Sequence, residues 1–220
     1  MTPHEQRLQR YWNHLWRRLG VRHEHDAHLR ACFRELLALY GDPGRHYHDA
    51  AHIVEGLDEL HKDVVWRSAR DPDAIALAFI YHDTIIDILS KINELQSARL
   101  MMRHTESLPI SAIFRERVFA NIMATCHGGP RLVDNDQQIV SDLDLMRMAY
   151  PERRFAELSK AVRDEYARIP THKYLARRKE IFEGFLRRPS IFYRHRFRKR
   201  YELVAQQNLA RVVSQINPEL

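Results

Sequence analysis

Glycine and proline are scarce in this 220-residue chain, which contains 7 Gly and 9 Pro. Together they make up about 7% of the residues, against roughly 12% in average usage. This deficit argues against an architecture of many short strands joined by turns. Cysteine is scarcer still, because Cys32 and Cys126 are the only two and show no Cys-x-x-Cys spacing. They exclude a disulfide framework and predict a reducing compartment.

Long apolar runs are also missing. The longest, Ala74 to Tyr81, is far shorter than the ~20 residues that a membrane-spanning helix needs. The N-terminal segment has no apolar signal-peptide core. Since 45% of the residues are hydrophobic and 29% are charged, the chain can bury a core and is not disordered throughout. We expect a cytoplasmic protein with no membrane partner.

Positive charge is concentrated towards the C-terminus. The whole chain has a formal net charge of +6. Residues 171–200 contain eleven Lys or Arg and two acidic residues, so this basic stripe carries +9 and the remainder −3. Such a stripe can attract phosphate on nucleic acid or on a small substrate, or it can be a solvated helix face. Phe197 alone interrupts the basic run as a candidate stacking group for nucleic acid.

Apolar residues recur at helical spacing along nearly the whole chain, and no segment alternates as a half-buried strand would. Gly20 and Gly41 are placed to end the first two helices. Pro72 is placed to begin a fourth helix, whose apolar register continues to Leu89. The predicted helices are 8–19, 29–40, a third ending near His61, 71–89, 93–107, 109–125, 143–150, 151–168, 171–187 and 193–216. With one loop near 127–138 and no linker, residues 1–220 are predicted to form a single all-α domain, a helical bundle.

The predicted fourth helix carries a histidine and an aspartate where apolar residues are expected. His82 falls on its apolar face, with Asp83 beside it. A carboxylate on a mostly apolar helix is costly unless a positive charge compensates it. A bound metal cation would do so, since imidazole and carboxylate supply lone pairs to the cation. A structural His–Asp pair bonded to the neighbouring backbone is the alternative.

Two pairs of these residue types have a spacing of four. His48 and His52 form one pair, and Asp83 and Asp87 form the other. Residues four apart lie on the same face of a helix, so each pair is predicted to face a single site. Alternatively, Asp87 is a solvent-facing helix residue.

An acidic pair lies farther along the chain, at Asp142 and Asp144. Ser141, followed three residues later by Asp144, is close to a capping box. The spacing alone leaves this pair as either a helix cap or a source of metal ligands.

In chain order these residues resemble the His…His-Asp…Asp pattern of the HD-domain superfamily of metal-dependent phosphohydrolases. Residues 47–52 are similar to the Tyr-His-Asn-x-x-His signature of cyclic-nucleotide phosphodiesterases, except at Asp49. Residues 82–87 are similar to the His-Asp-x-x-Glu-Asp motif of the alarmone hydrolases, except at Ile86. Nearly the whole chain resembles the small bacterial proteins described as predicted HD-superfamily metal-dependent phosphohydrolases. The matching stretches are 45–52, 93–97, 124–125, 162–166 and 208–211.

The resemblance implies a helical bundle of the HD-domain type that holds one divalent cation, which is Mn, Fe, Co, Ni, Zn or Mg. Its implied ligands are His52, His82, Asp83 and Asp144, with Asp142 as the fallback for the fourth position. The implied reaction is hydrolysis of a phosphate ester by attack of metal-bound water. The implied substrate is a small phosphorylated molecule such as a nucleotide.

Five further residues receive expected roles around such a cation. Asp87 would orient or deprotonate the water, and His48 would protonate the leaving oxygen. Arg45 would clamp a phosphate through its fork of donors, or else form a surface salt bridge. His127 would reach the site or simply end a helix. Glu94 would brace a ligand or pair with a nearby lysine.

Two other classes of function stay open at this point. One is a non-catalytic HD module that binds a nucleotide or, through the basic stripe, nucleic acid. The other is a plain helical scaffold whose core histidines are satisfied by protein groups and bind no metal. The kind of phosphohydrolase and the oligomeric state are not distinguished by the sequence.

Overall fold

A computed structural model describes residues 1–129 and 131–216 of the chain. Within these residues the regular structure is entirely helical, which confirms the all-α prediction. Short 3₁₀ helices occupy His23–His25 and Met146–Ala149. The α-helices are α1 (Pro3–Arg18), α2 (Asp26–Tyr40), α3 (Ala50–Leu60), α4 (Asp63–Trp66), α5 (Pro72–Tyr81), α6 (Asn93–Thr105), α7 (Ala112–Met123), α8 (Asn135–Leu145), α9 (Glu152–Glu165), α10 (Thr171–Leu186) and α11 (His195–Gln215).

Several helix ends lie where the sequence places them. Gly20 has φ of 71° just after α1, a conformation that glycine adopts without strain. Gly41 follows α2 directly, and His61 caps the end of α3. At the start of α5, the Asp71 side chain accepts a hydrogen bond from the Ala74 N–H, and Pro72 occupies the first turn. These ends depend on adjacent residues, so the sequence predicts them.

Helix α5 is shorter than predicted, because it ends at Tyr81 rather than at Leu89. The Tyr81 carbonyl accepts from the Thr84 N–H, three residues on, at 3.0 Å, and side-chain hydroxyls also bond carbonyls of this last turn. Tyr40 Oη donates to the Ile80 carbonyl at 2.7 Å, and Thr84 Oγ1 donates to the Tyr81 carbonyl at 2.8 Å. Apolar residues continue at helical spacing beyond Tyr81, but the backbone there is no longer α-helical.

Helix α8 begins earlier than predicted. Asp134 Oδ1 accepts from the N–H groups of Asp136 and Gln137 at 2.9 and 3.2 Å, which caps the helix start. Ser141 therefore lies inside α8, so the capping-box interpretation of Ser141 and Asp144 is wrong. Helix α4 and the 3₁₀ helix at His23–His25 were not predicted.

The chain divides into two compact units, residues 1–143 and 144–220, and the division falls within α8. In the first unit α5 is the central helix, since every side chain from Ala74 to Tyr81 is buried. It packs against α3, α6 and α7. The single-domain organisation predicted for residues 1–220 stays a prediction.

The second unit is organised around α11, which packs against α10 and against the 3₁₀ helix Met146–Ala149. Buried Asn208 donates to the carbonyls of Met148 and Tyr150 at 2.9 and 2.8 Å. Glu202 accepts from the N–H groups of Ile191 and Phe192. In the described part of both units, no helix combines the length and apolarity needed to cross a membrane.

Candidate metal centre

The end of α5 delivers His82 and Asp83 in a defined orientation. His82 Nδ1 lies 2.9 Å from the Phe79 carbonyl, and the His82 N–H donates to the Ala78 carbonyl at 2.9 Å. The ring is therefore held back against its own helix, with Nε2 facing away from it. The Ile85 N–H donates to Oγ of buried Ser97 on α6 at 3.0 Å, which holds the chain just beyond Asp83. Backbone carbonyls of α5 and the Ser97 side chain of α6 thus support the His82–Asp83 segment.

Helix α3 supplies the second imidazole. Asp49 caps this helix by accepting from the His52 N–H at 3.0 Å. His52 itself is fully buried, and its ring packs against Phe79 with the centroids 5.5 Å apart. Phe79 also stacks on His82, at 4.6 Å between centroids. One aromatic ring of α5 therefore packs against both histidines.

Close approach of α3 to α5 depends on Gly56. A Cβ at this position would lie 2.0 Å from Cε1 of Phe79, well inside van der Waals contact. The absent side chain makes room for the Phe79 ring, which in turn contacts the two imidazoles.

The four predicted ligands lie together. His52 Nε2 is 3.3 Å from His82 Nε2, and Asp83 Oδ2 is 3.0 Å from His82 Nε2 and 3.5 Å from His52 Nε2. One ligand atom of Asp144 completes the group, and all four ligand atoms lie within 4.8 Å of one another. Both histidines are buried and the Asp83 side chain is 18% exposed. Among the described residues this is a group of His and Asp that could hold a metal ion.

The donor set fits a cation. With Nδ1–H of His82 donating to the Phe79 carbonyl, Nε2 carries a lone pair, and it faces a carboxylate oxygen 3.0 Å away. Two such acceptors repel unless a proton or a cation lies between them. Ligand atoms bound to one cation at ~2.0–2.2 Å lie ~2.8–3.6 Å apart at bond angles between about 90° and about 110°. The distances among His52, His82 and Asp83 fall inside that range.

Asp144 occupies the last turn of α8 and is half-buried. The start of this helix is fastened to the start of α5, because the Asp136 carboxylate accepts from the N–H groups of Arg70 and Asp71, each at 2.9 Å. Asp142 is fully buried, but the ligand group contains Asp144 and not Asp142. The geometry thus favours Asp144 over Asp142 as the fourth ligand.

His48 lies beside this group but not in the predicted register. It precedes the first residue of α3, so the expectation that His48 and His52 share a helical face is wrong. Their ring centroids are nevertheless 6.4 Å apart, and Tyr47 stacks on the His52 ring at 5.7 Å. His48 is half-buried, and its role as a proton donor stays a prediction.

Asp87 departs further from expectation. Because α5 ends at Tyr81, Asp87 does not lie one helical turn beyond Asp83. It is exposed, and its Oδ1 accepts from the Leu89 N–H at 2.9 Å within a turn. Its backbone exchanges hydrogen bonds with the Asn93 side chain at 3.1 and 3.0 Å. The prediction that Asp83 and Asp87 share a helical face is therefore wrong, and the role of Asp87 as a base was based on it.

Arg45 hydrogen-bonds the main chain rather than a surface carboxylate, and its role as a phosphate clamp stays a prediction. Its guanidinium donates to the backbone carbonyls of His48, Asp83 and Thr84. It also lies over the ring of buried Tyr40, with Cζ 5.4 Å from the centroid. The sequence held no signal for these contacts, since they join residues up to 39 positions apart.

Two other expected site residues and the basic stripe have simpler outcomes. His127 is half-buried in the segment after α7, and its role stays a prediction. Glu94 hydrogen-bonds the Cys126 thiol rather than a lysine, and burial together with this carboxylate raises the thiol pKa from 9.0 to about 12. Phe197, the expected stacking group of the basic stripe, is buried against Phe192 and Tyr201 and cannot stack on a base.

Comparison with known proteins finds no matching family model, no matching curated protein and no matching solved structure. The fold and the site by themselves define the class: the described residues form an all-helical protein with a buried His/Asp group that could hold a metal ion. Membership of the HD-domain superfamily stays a prediction from the motif residues.

Proposed function

We propose that this protein is a metal-dependent phosphohydrolase that acts on a small phosphate ester, with nucleotides as the first class to test. The observation that carries the proposal is the convergence of His52, His82, Asp83 and Asp144 on one point. These are the residues that the resemblance to HD-type phosphohydrolases implies as ligands. Three distant segments of chain supply them, so adjacency in sequence does not explain their meeting.

Two neutral imidazoles and two carboxylates would hold the cation. A divalent cation bound there would polarise a water molecule and a phosphoryl oxygen, and would neutralise charge that develops on the phosphate. The donor set of two nitrogens and two oxygens suits Mn, Fe, Co, Ni or Zn better than Mg, which prefers oxygen ligands.

The protein groups around the ligands have their own tasks. The Phe79 carbonyl holds His82 in the tautomer whose Nε2 is free of hydrogen, which is the form that binds metal. Asp83 keeps its carboxylate partly exposed, so the group is open to solvent on the Asp83 side. His48 is half-buried, and its ring centroid lies 6.4 Å from that of His52, so it is our candidate for transferring a proton to a leaving oxygen.

The proposal is tested first by metal content. We expect purified protein to bind about one equivalent of a transition metal ion, measured by element-specific analysis after dialysis. The double variant His82→Ala/Asp83→Ala should lose that metal while staying helical by circular dichroism. His61→Ala and Asp58→Asn are matched controls, since both residues lie in α3 or at its end outside the ligand group and contact α1 residue Tyr11. Full metal retention in the double variant would end the assignment.

The second test is turnover. The metal-loaded protein is assayed with a panel of nucleoside phosphates, cyclic nucleotides and a generic aryl phosphate, with release of phosphate or alcohol as the readout. Hydrolysis that disappears in His82→Ala/Asp83→Ala supports the proposal. Metal binding without turnover of any ester, combined with salt-dependent binding to a random DNA duplex, would instead identify the non-catalytic alternative.

A further inference from the structure

Arg45 makes an unusual set of contacts for a half-buried arginine next to a charged site. Three of its five N–H donors point at main-chain carbonyls: Nη1 donates to His48 and Asp83, and Nη2 donates to Thr84. The guanidinium plane packs over Tyr40. Tyr40 is itself held by its bond to the Ile80 carbonyl. The arginine is therefore held at both its face and its edge.

These contacts join the two segments that deliver metal ligands. The His48 carbonyl belongs to the segment that leads into α3 and His52, whereas the Asp83 and Thr84 carbonyls follow His82. Both carbonyls of the second segment lie just beyond the end of α5, where no helical N–H is available to them. A cation at this end also interacts favourably with the helix dipole. Arg45 thus supplies the hydrogen bonds that a continuing helix would have supplied, and it turns the chain at Asp83.

Only an arginine can do this with one side chain. Its fork of donors is planar and rigid, so contacts to adjacent carbonyls set the direction of the peptide groups as well as their position. A lysine in its place would keep the positive charge, but its three rotatable donors on a flexible stem would not fix the direction of the carbonyls. The direction of the Asp83 peptide group determines where Asp83 Oδ2 lies relative to the two histidine Nε2 atoms.

We propose that Arg45 is a positioning residue of the metal centre: it orients Asp83 and the approach to α3, and it does not clamp the substrate's phosphate. This inference rests on the proposed function, since it assigns Arg45 a task in holding the metal ligands.

The test compares Arg45→Lys and Arg45→Ala with the wild-type chain by titration with Co²⁺, whose visible absorption reports both affinity and ligand geometry. Loss of a residue that orients a ligand lowers metal affinity by about 10- to 100-fold, and we expect that range for both variants. Arg45→Ala should regain affinity when guanidinium is added at concentrations that leave the fold intact. Inorganic phosphate binding to the metal-loaded proteins is measured in parallel.

A matched control is available in Arg163. This arginine also donates to two main-chain carbonyls, those of Tyr166 and Ile169, and lies over a tyrosine ring, Tyr174, at 4.8 Å. Its contacts lie within residues 163–174. Arg163→Lys and Arg163→Ala should therefore cost comparable thermal stability while leaving the Co²⁺ affinity and spectrum unchanged.

The outcomes separate the inference from the function beneath it. Weaker Co²⁺ binding and an altered spectrum in the Arg45 variants, with the Arg163 variants unaffected, support the positioning role. Unchanged Co²⁺ affinity in the Arg45 variants overturns it while leaving the metal centre intact, and a selective loss of phosphate binding would then restore the clamp. If the wild-type chain binds no Co²⁺, both the inference and the proposed function are wrong. Should Arg45→Ala fail to fold, Arg45→Lys and its spectrum decide the matter.

Discussion

Replacement of Gly56 by alanine tests whether the contact between α3 and α5 shapes the metal centre. The added Cβ would lie 2.0 Å from Cε1 and 2.3 Å from Cζ of Phe79. The obstacle is a ring buried among core residues, not the flexible end of a surface side chain. Either the Phe79 ring must rotate or α3 must move away from α5.

Two opposing terms set the size of the effect. Alanine is favoured over glycine inside a helix by about 0.5–1 kcal/mol. Overpacking a close-packed core costs about 1–3 kcal/mol, and contacts this short place the cost at the upper end. We expect a net loss of about 1–2 kcal/mol in the free energy of unfolding. Because Phe79 packs on both His52 and His82, we also expect Co²⁺ affinity to fall by about 10-fold.

Urea denaturation of the metal-free protein and Co²⁺ titration of the folded protein measure these two effects. Gly184→Ala is the matched control, because Gly184 also lies inside a helix but its nearest neighbour for a new Cβ is the end of Arg187 at 3.9 Å. That variant should be stabilised by about 0.5–1 kcal/mol, with no change in Co²⁺ affinity. The two glycine variants are therefore expected to change the free energy of unfolding in opposite directions.

The reasoning would be refuted if Gly56→Ala were as stable as the wild-type chain or more stable. Loss of stability with unchanged Co²⁺ affinity would be a narrower failure. It would show that the Phe79 ring can move without disturbing the imidazoles, and that the carbonyl contact to His82 is sufficient to orient that ligand.

Three further predictions concern other parts of the molecule. Asp136→Ala leaves the part-buried N–H groups of Arg70 and Asp71 without their acceptor, so we expect a loss of about 1–3 kcal/mol in the free energy of unfolding measured by urea denaturation, and a loss below about 0.5 kcal/mol would contradict it. Burial lowers the pKa of His61, so the unfolded chain takes up a proton there more readily than the folded chain. The free energy of unfolding should therefore fall as the pH drops below about 6.5. In His61→Gln this fall between about pH 7 and about pH 5.5 should be shallower. Removing metal with a chelator should lower the thermal midpoint, since a ligand present at 100 times its Kd stabilises the folded state by about 2.7 kcal/mol; an equal shift in His82→Ala/Asp83→Ala would show that the chelator acts elsewhere.

The predictions that the structure confirms are those that depend on neighbours in sequence. Asp71 and Pro72 start α5 where expected, because a cap and a proline act within one turn of the backbone. Gly41 ends α2 for the same reason. The all-helical fold was predictable because apolar residues recur at helical spacing along the chain, and this spacing is visible within each segment of sequence.

Two of the wrong predictions concern the chain beyond the end of α5. Helix α5 was extended to Leu89 because the apolar period continues, and Asp87 was placed next to Asp83 on that basis. At the end of α5, the chain instead makes contacts that the sequence does not signal, such as that of the Tyr40 hydroxyl with the Ile80 carbonyl, 40 residues away. The contacts of Arg45 were hidden from the sequence for a similar reason, because only the folded chain brings the Asp83 and Thr84 carbonyls near it.

By itself, the sequence determined that the chain is helical, where most helices begin, and which four side chains were candidates for ligands. Those properties are encoded in residues that act on their own turn of helix, or in residue types matched to a motif. Tertiary structure alone decided that the four side chains meet, that Asp144 rather than Asp142 joins them, and that Arg45 serves the backbone. The reason is physical: convergence requires α3, α5 and α8 to pack at set distances, and packing depends on contacts such as Gly56 against Phe79 that no single segment contains.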